Sequence, residues 1–118
     1  MIVEDYVSFE TAKLLKEKRF ESDCCHTAYD CNGEFFWCGD YSKDRKGIMD
    51  APTLQMAMKW LRETKNIQVV IGILNTIKKT WTFALFRDFD GLTQKFYSFK
   101  TYEEACEAAI KDCLENLI

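Results

Sequence analysis

Asp30-Cys31-Asn32-Gly33 leads toward a helix opening at Thr53, and Asp88-Phe89-Asp90-Gly91 leads toward a second opening at Thr101. In both places a turn signal sits among aromatic and β-forming residues, and a threonine able to cap a helix follows. Asn32-Gly33 favours a two-residue type I′ turn, whose central residues both need positive φ. Residues 24–41 are therefore expected to form a β-hairpin pairing Cys31 with Glu34, Thr27 with Cys38 and Cys25 with Asp40. Residues 81–89 and 94–99 flank Asp90-Gly91 and predict a second hairpin, with Leu85 opposite Phe96 and Ala84 opposite Tyr97. One face of that hairpin gathers Trp81, Phe83, Leu85, Phe89 and Phe96.

Three helices follow from caps and periodicity. Ser8 precedes a run to Lys18 in which Phe9, Ala12 and Leu15 share a face, with Glu10 in the first turn and lysines in the last. Pro52 suits the start of a helix and Thr53 caps it; Leu54, Ala57, Met58 and Leu61 then form an apolar stripe opposite Gln55, Lys59 and Arg62. Thr101-Tyr102-Glu103-Glu104 is a capping box. It opens a helix whose buried stripe is Tyr102, Ala105, Cys106, Ala109, Ile110, Cys113, Leu114 and Leu117, with Glu103, Glu104, Glu107, Lys111 and Glu115 on the wet side. Between the second helix and the second hairpin, Ile67, Val69, Ile71 and Ile73 alternate with Gln68, Val70, Gly72 and Leu74, which predicts a strand, placed centrally in its sheet.

The resulting order, α-ββ-α-βββ-α, describes an α+β fold in which helices pack on an antiparallel sheet. A repeated ββα unit is one reading of the paired turn and cap signals. Independent use of signals that many folds need is the other. At 118 residues with 47% hydrophobic content, the chain is expected to form one domain over residues 1–118.

Sixteen basic and nineteen acidic side chains give a net charge of -3 and a pI of about 5.2, so no overall positive field draws nucleic acid. The amino terminus carries acids where a secretory signal has basic residues, and no apolar run approaches the roughly 20 residues a bilayer span needs. The expectation is a cytoplasmic protein with no membrane contact, whose six cysteines are thiols.

Cys24, Cys25, His26, Cys31 and Cys38 form the densest set of candidate ligands, enough in number for a Cys3His zinc site. Their spacing departs from the usual pairs separated by two to four residues. In the expected hairpin, Cys25, Cys31 and Cys38 take one face while Cys24 and His26 take the other, and Cys31 lies about 13 Å along the strand from Thr27. No metal or other cofactor is therefore assigned. A redox pair between Cys25 and Cys38, placed diagonally across the strands, is a related alternative. His26 is the one histidine available as a base, and no turn or helix terminus adjoins it to activate a thiol. Asp88 and Asp90 fail the calcium-loop pattern, and glycine-rich phosphate loops and nucleophile elbows are absent from the sequence. No catalytic residue is assigned.

Phe36, Tyr41, Phe86, Tyr97 and Phe99 could form a sheet platform that stacks single-stranded bases, although Lys95 and Lys100 alone accompany it. Trp37, Tyr41, Met56 and Trp60 exceed what one sheet face needs, and together they would suit a protein contact.

Residues 8–18, 51–62 and 102–110 resemble small uncharacterised proteins of gut Bacteroides and their phages or mobile elements. The resemblance spans most of the chain and implies a bacterial or phage-related source, with no activity and no site residues. The expectation is a small cytoplasmic interaction or accessory protein without catalytic activity, working through a protein partner or self-association. Single-stranded nucleic-acid binding by the aromatic face, and zinc or redox chemistry at the thiols of residues 24–38, are the alternatives.

Overall fold

Ser8, Thr53 and Thr101 each hold a helix open by the route their hydroxyls dictate. A computed structural model of the chain describes residues 4–20, 26–37, 48–92 and 97–118. In it, Ser8 Oγ accepts from Thr11 N–H at 3.2 Å, Thr53 Oγ1 from Met56 N–H at 3.1 Å and Thr101 Oγ1 from Glu104 N–H at 3.1 Å. Each bond satisfies a backbone donor that has no partner within the helix. The helices are α1 (Phe9–Glu17), α2 (Leu54–Lys65) and α3 (Tyr102–Asn116). Glu104 completes the capping box by accepting from Lys100 N–H at 3.3 Å, one residue earlier than the usual partner. Asn66, left-handed at φ 55°, ends α2 and sends the chain into the next strand.

The strands form two antiparallel sheets of three. The first contains β1 (Thr27–Tyr29), β2 (Phe35–Trp37) and β3 (Met49–Asp50) in the order β2-β1-β3. The second contains β4 (Ile67–Asn75), β5 (Thr80–Arg87) and β6 (Asp90–Gly91) in the order β4-β5-β6. The architecture is α+β, as expected, but the strands form two sheets in place of one, β3 is added to the order, and β6 lies at Asp90–Gly91, where a turn was expected. The central strand is the first of its sheet in one half and the second in the other, so the ββα pattern is not repeated in strand order.

Both hairpin registers differ from those the turn signals predict. In the first, Thr27 pairs with Trp37, Ala28 with Phe36 and Tyr29 with Phe35. The Asp30 carboxylate accepts from Asn32 and Glu34 N–H at 2.8 and 3.0 Å, while Gly33 takes φ 84° and donates to Asp30 C=O. The result is a three-residue loop closed by a glycine bulge, which shifts the register by one and moves Cys31 out of the ladder into the turn. In the second, the reversal occurs at Asp88-Phe89, with φ of 51° and 68°, instead of at Asp90-Gly91. Arg87 pairs with Asp90, and Asp88 N–H donates to Asn66 C=O at 3.1 Å. Phe89 therefore sits at the turn, 83% exposed, and leaves the apolar face on which Phe83 and Leu85 are buried. Farther along, Trp81 bridges Phe99. Phe96 lies outside the described residues.

The predicted helix stripes are the core. Ala12 and Leu15 of α1, Leu54, Ala57, Met58 and Leu61 of α2, and Cys106, Ala109, Ile110, Cys113 and Leu114 of α3 form one buried cluster with Val7, Met49, Ile67, Phe83 and Leu85. Helix-to-helix polar contacts close its margin. Thr11, fully buried, donates from Oγ1 to Glu107 Oε1 at 2.6 Å, and Ser8 N–H donates to the same oxygen at 3.0 Å. Glu107, expected on the wet side of α3, thus places its carboxylate at the amino terminus of α1, where the helix dipole favours negative charge.

Candidate interaction surface

β4 alternates as the sequence predicts, but it lies at the edge of its sheet and not at the centre. A central strand and an edge strand can carry the same apolar pattern, so the position depends on what pairs beside it. Backbone direction follows from the bonds of β5. Trp81 and Phe99 exchange N–H···O bonds at 2.8 and 2.9 Å, and Leu92 N–H donates to Leu85 C=O at 2.8 Å. Odd residues of β5 therefore turn their backbone groups away from β4, while Thr82, Ala84 and Phe86 turn theirs toward Gly72, Val70 and Gln68. On β4 the odd residues consequently aim N–H and C=O at the outer edge. Ile67 is fully buried, which leaves Val69, Ile71 and Ile73 as the accessible part of that edge. Among the described residues no strand lies alongside it.

The far end of this hairpin projects beyond the core. Ile73 is 62% exposed and Ile77, in the loop between the strands, is 91% exposed, with Val70 and Leu74 also exposed. Leu74 sits at a register shift between the pairs Ile73–Trp81 and Asn75–Thr80, and Asn75 Oδ1 accepts from Ile77 and Lys78 N–H at 2.9 Å each to shape the loop. From Asn66 to Ile77 there is no charged residue. Sheet edges are commonly protected by lysine, proline or brevity, and none of these occurs between residues 67 and 73.

The contact residues expected from sequence are dispersed. Trp37 ends β2 at 72% exposure, its ring 5.8 Å from that of His26. Trp60 packs at the margin of the core, edge-on to Phe20 at 5.5 Å with Lys65 Nζ 5.6 Å from its ring centroid. Met56, on the same helix, is half-buried. Tyr41 lies outside the described residues. The base-stacking platform is divided as well. Phe36 belongs to the first sheet, whereas Phe86 points to the face of the second opposite Phe83. Tyr97 stacks on Phe83 at 5.6 Å and 10°, with Phe99 beside them. These three rings and α3 border a cleft of about 200 Å³ that also meets Lys111, Asp112 and Glu115.

A shallower groove of about 520 Å³ beside it is rimmed by Asp5, Glu103, Glu104 and Glu107, a charge pattern that repels phosphate.

Cys31 is exposed in the first turn, and Cys24, Cys25 and Cys38 lie outside the described residues. Among the described residues no group of three His, Cys, Asp or Glu side chains is placed to hold a metal ion. Cys106 and Cys113 are fully buried on α3. Burial pushes their thiols up to about 11 and about 12 respectively, which suppresses the nucleophilic thiolate. Among the described residues no helix is long and apolar enough to cross a membrane. No protein family matches the chain, and no curated protein or solved structure compared with it matches either.

Proposed function

We propose that the chain is a small cytoplasmic accessory protein, without catalytic activity, that acts by seating an extended protein strand along the outer edge of β4. The observation that carries this reading is the conjunction on one strand of outward backbone groups at Val69, Ile71 and Ile73 with exposed apolar side chains at Val70, Ile73 and Leu74, continued by Ile77 in the adjoining loop. Edge backbone groups supply affinity for any extended segment, and the alternating side chains supply selectivity. Trp37, on the edge strand of the first sheet, offers a second exposed aromatic to the same class of partner. The acid-rimmed groove and the net charge of -3 argue against nucleic acid in that role. A bacterial or mobile-element setting accords with the resemblance of the helical segments.

The test compares the wild-type chain with Ile73→Lys as immobilised bait. A protein retained by wild type, identified by mass spectrometry and rebuilt as a complex from purified components, is expected to be lost with Ile73→Lys. Equal retention by both baits, or a rebuilt complex that leaves the β4 amides unchanged, overturns the reading.

A further inference from the structure

We infer that the strand seated on β4 is β4 of a second copy of this chain, paired antiparallel about Ile71 to join two three-stranded sheets into one of six strands. The inference rests on the interaction reading above and names its partner.

Three residues carry the accessible outward groups, and they are spaced symmetrically about the middle one. When two copies pair with Ile71 opposite Ile71 of the second copy, Val69 comes opposite Ile73, and Ile73 opposite Val69. Every outward N–H and C=O of residues 69, 71 and 73 then finds a partner in both chains, about six bonds in all. Shifting the centre by one residue toward Val70 would bring Ile73 against Ile67, whose surroundings are already closed. A shift toward Gly72 would leave Val69 opposite Asn75, beyond the register shift at Leu74. Ile71 is therefore the centre selected by the edge that no described strand covers.

Side chains agree with this pairing. On the helix-facing side, Ile73 is 62% exposed because its own core ends before it, whereas Val69 packs against the core margin. Pairing lays each Ile73 beside the Val69 of the second copy and covers it. On the opposite side, exposed Val70 comes opposite Gly72, where an added Cβ would have nothing within 4 Å and the face is open. Charge agrees as well. Like charges placed opposite each other disfavour pairing, and a strand without charge from Asn66 to Ile77 meets its own copy without that cost. An antiparallel pairing of identical strands is also closed by a two-fold axis, so it stops at a dimer.

The experiment measures mass by sedimentation, and amide hydrogen exchange, on the full chain in reducing buffer from about 1 µM to about 1 mM, a range that brackets weak and moderate dimers. The expected result is a mass rising toward twice 13.9 kDa, with exchange at Val69, Ile71 and Ile73 slowing in parallel. Ile73→Lys places a charge at a position exposed in the single chain, so it is expected to keep its melting temperature while weakening association roughly tenfold or more. The exchange data on the wild-type chain do not depend on that variant folding. A single-chain mass at every concentration, or a dimer whose residue 69, 71 and 73 amides exchange at the dilute rate, overturns the inference. A chain that stays single yet binds a foreign strand through the same amides overturns the self-pairing and leaves the proposed function standing. Loss of both removes both.

Discussion

Phe89 holds φ 68° in the turn between β5 and β6 while its ring is 83% exposed. A bulky residue in the left-handed region is strained by about 1 kcal/mol or more, and little packing offsets that strain here. Asp88, with φ 51°, already suits the first central position, where aspartate followed by glycine is among the preferred pairs. Phe89→Gly is therefore expected to stabilise the fold by about 1 kcal/mol, raising the melting temperature by about 3 to 6 °C. An unchanged or lower denaturation midpoint would show that the ring makes a contact worth more than the strain. Thr11 presents the opposite case, a buried hydroxyl that accepts from Ser8 Oγ at 3.2 Å within its own helix cap and donates at 2.6 Å to Glu107 of a helix distant in sequence. Thr11→Val keeps the β-branched shape and removes the donor to Glu107, which retains the Ser8 N–H. Hydrogen bonds to charged groups contribute about 1.5–3 kcal/mol, so a loss of about 2 kcal/mol in urea unfolding is expected. Glu107→Ala also loses the Ser8 N–H bond and the charge at the α1 amino terminus, so it should fall further, and a double variant no less stable than Glu107→Ala alone would assign the Thr11 effect to this bond.

At the scale of elements, the three helices were legible because their signals are local. Ser8, Thr53 and Thr101 cap as written, and the stripes from Leu54 to Leu61 and from Ala105 to Leu114 are buried as their 3.6-residue period requires. The strands were legible in kind but not in pairing. Asn32-Gly33 carries a strong turn signal, yet the Asp30 side chain organises a longer loop around it, a competition that the dipeptide alone does not resolve. Asp90-Gly91 yielded the turn to Asp88-Phe89 because the Asn66 carbonyl holds Asp88 N–H. The β4 edge is hidden by its own composition, since an uncharged alternating strand has the look of a buried one, and the contact residues that the sequence suggests, Trp37, Tyr41, Met56 and Trp60, all lie outside β4. Trp60, expected as a contact residue, packs half-buried at the margin of the core. Gly72 offers a direct measure of how β4 is held. It lies mid-strand without positive φ, and a Cβ there meets nothing within 4 Å, so Gly72→Val should gain about 0.5–1 kcal/mol from backbone entropy and β-preference. Destabilisation instead would place an unseen neighbour over that face.

The whole molecule has a radius of gyration of 14.8 Å, a little above the roughly 13.5 Å of a compact chain this long, as the projecting hairpin requires. Its stability depends on α3, which packs against both other helices and against the second sheet, and which carries two thiols into the core. Those thiols make the fold sensitive to alkali. Cys113 is raised from 9.0 to about 12, first by burial and then by the charge of Asp112, with Arg87 opposing; Cys106 is raised to about 11 by burial, with the Tyr102 hydroxyl opposing and Glu103 and Asp5 adding. Burial also raises Tyr29, and the Glu107 charge adds to it. In each case the folded state holds its proton to higher pH than the unfolded chain does. The stability linked to these protons is complete below about pH 9 and is lost as pH climbs through 9 toward 11 and 12. At 1.36 kcal/mol per unit, the two thiols together account for a loss on the order of 4 kcal/mol by pH 11, a large share of a typical domain's stability. Urea unfolding at about pH 8 and about pH 10.5, in reducing buffer, is expected to show that decline. The Cys106→Ala, Cys113→Ala double variant starts lower because of the cavities it creates, but its pH slope should be much flatter. An identical slope in the two proteins would assign alkaline unfolding to the tyrosines and lysines and not to the thiols of α3.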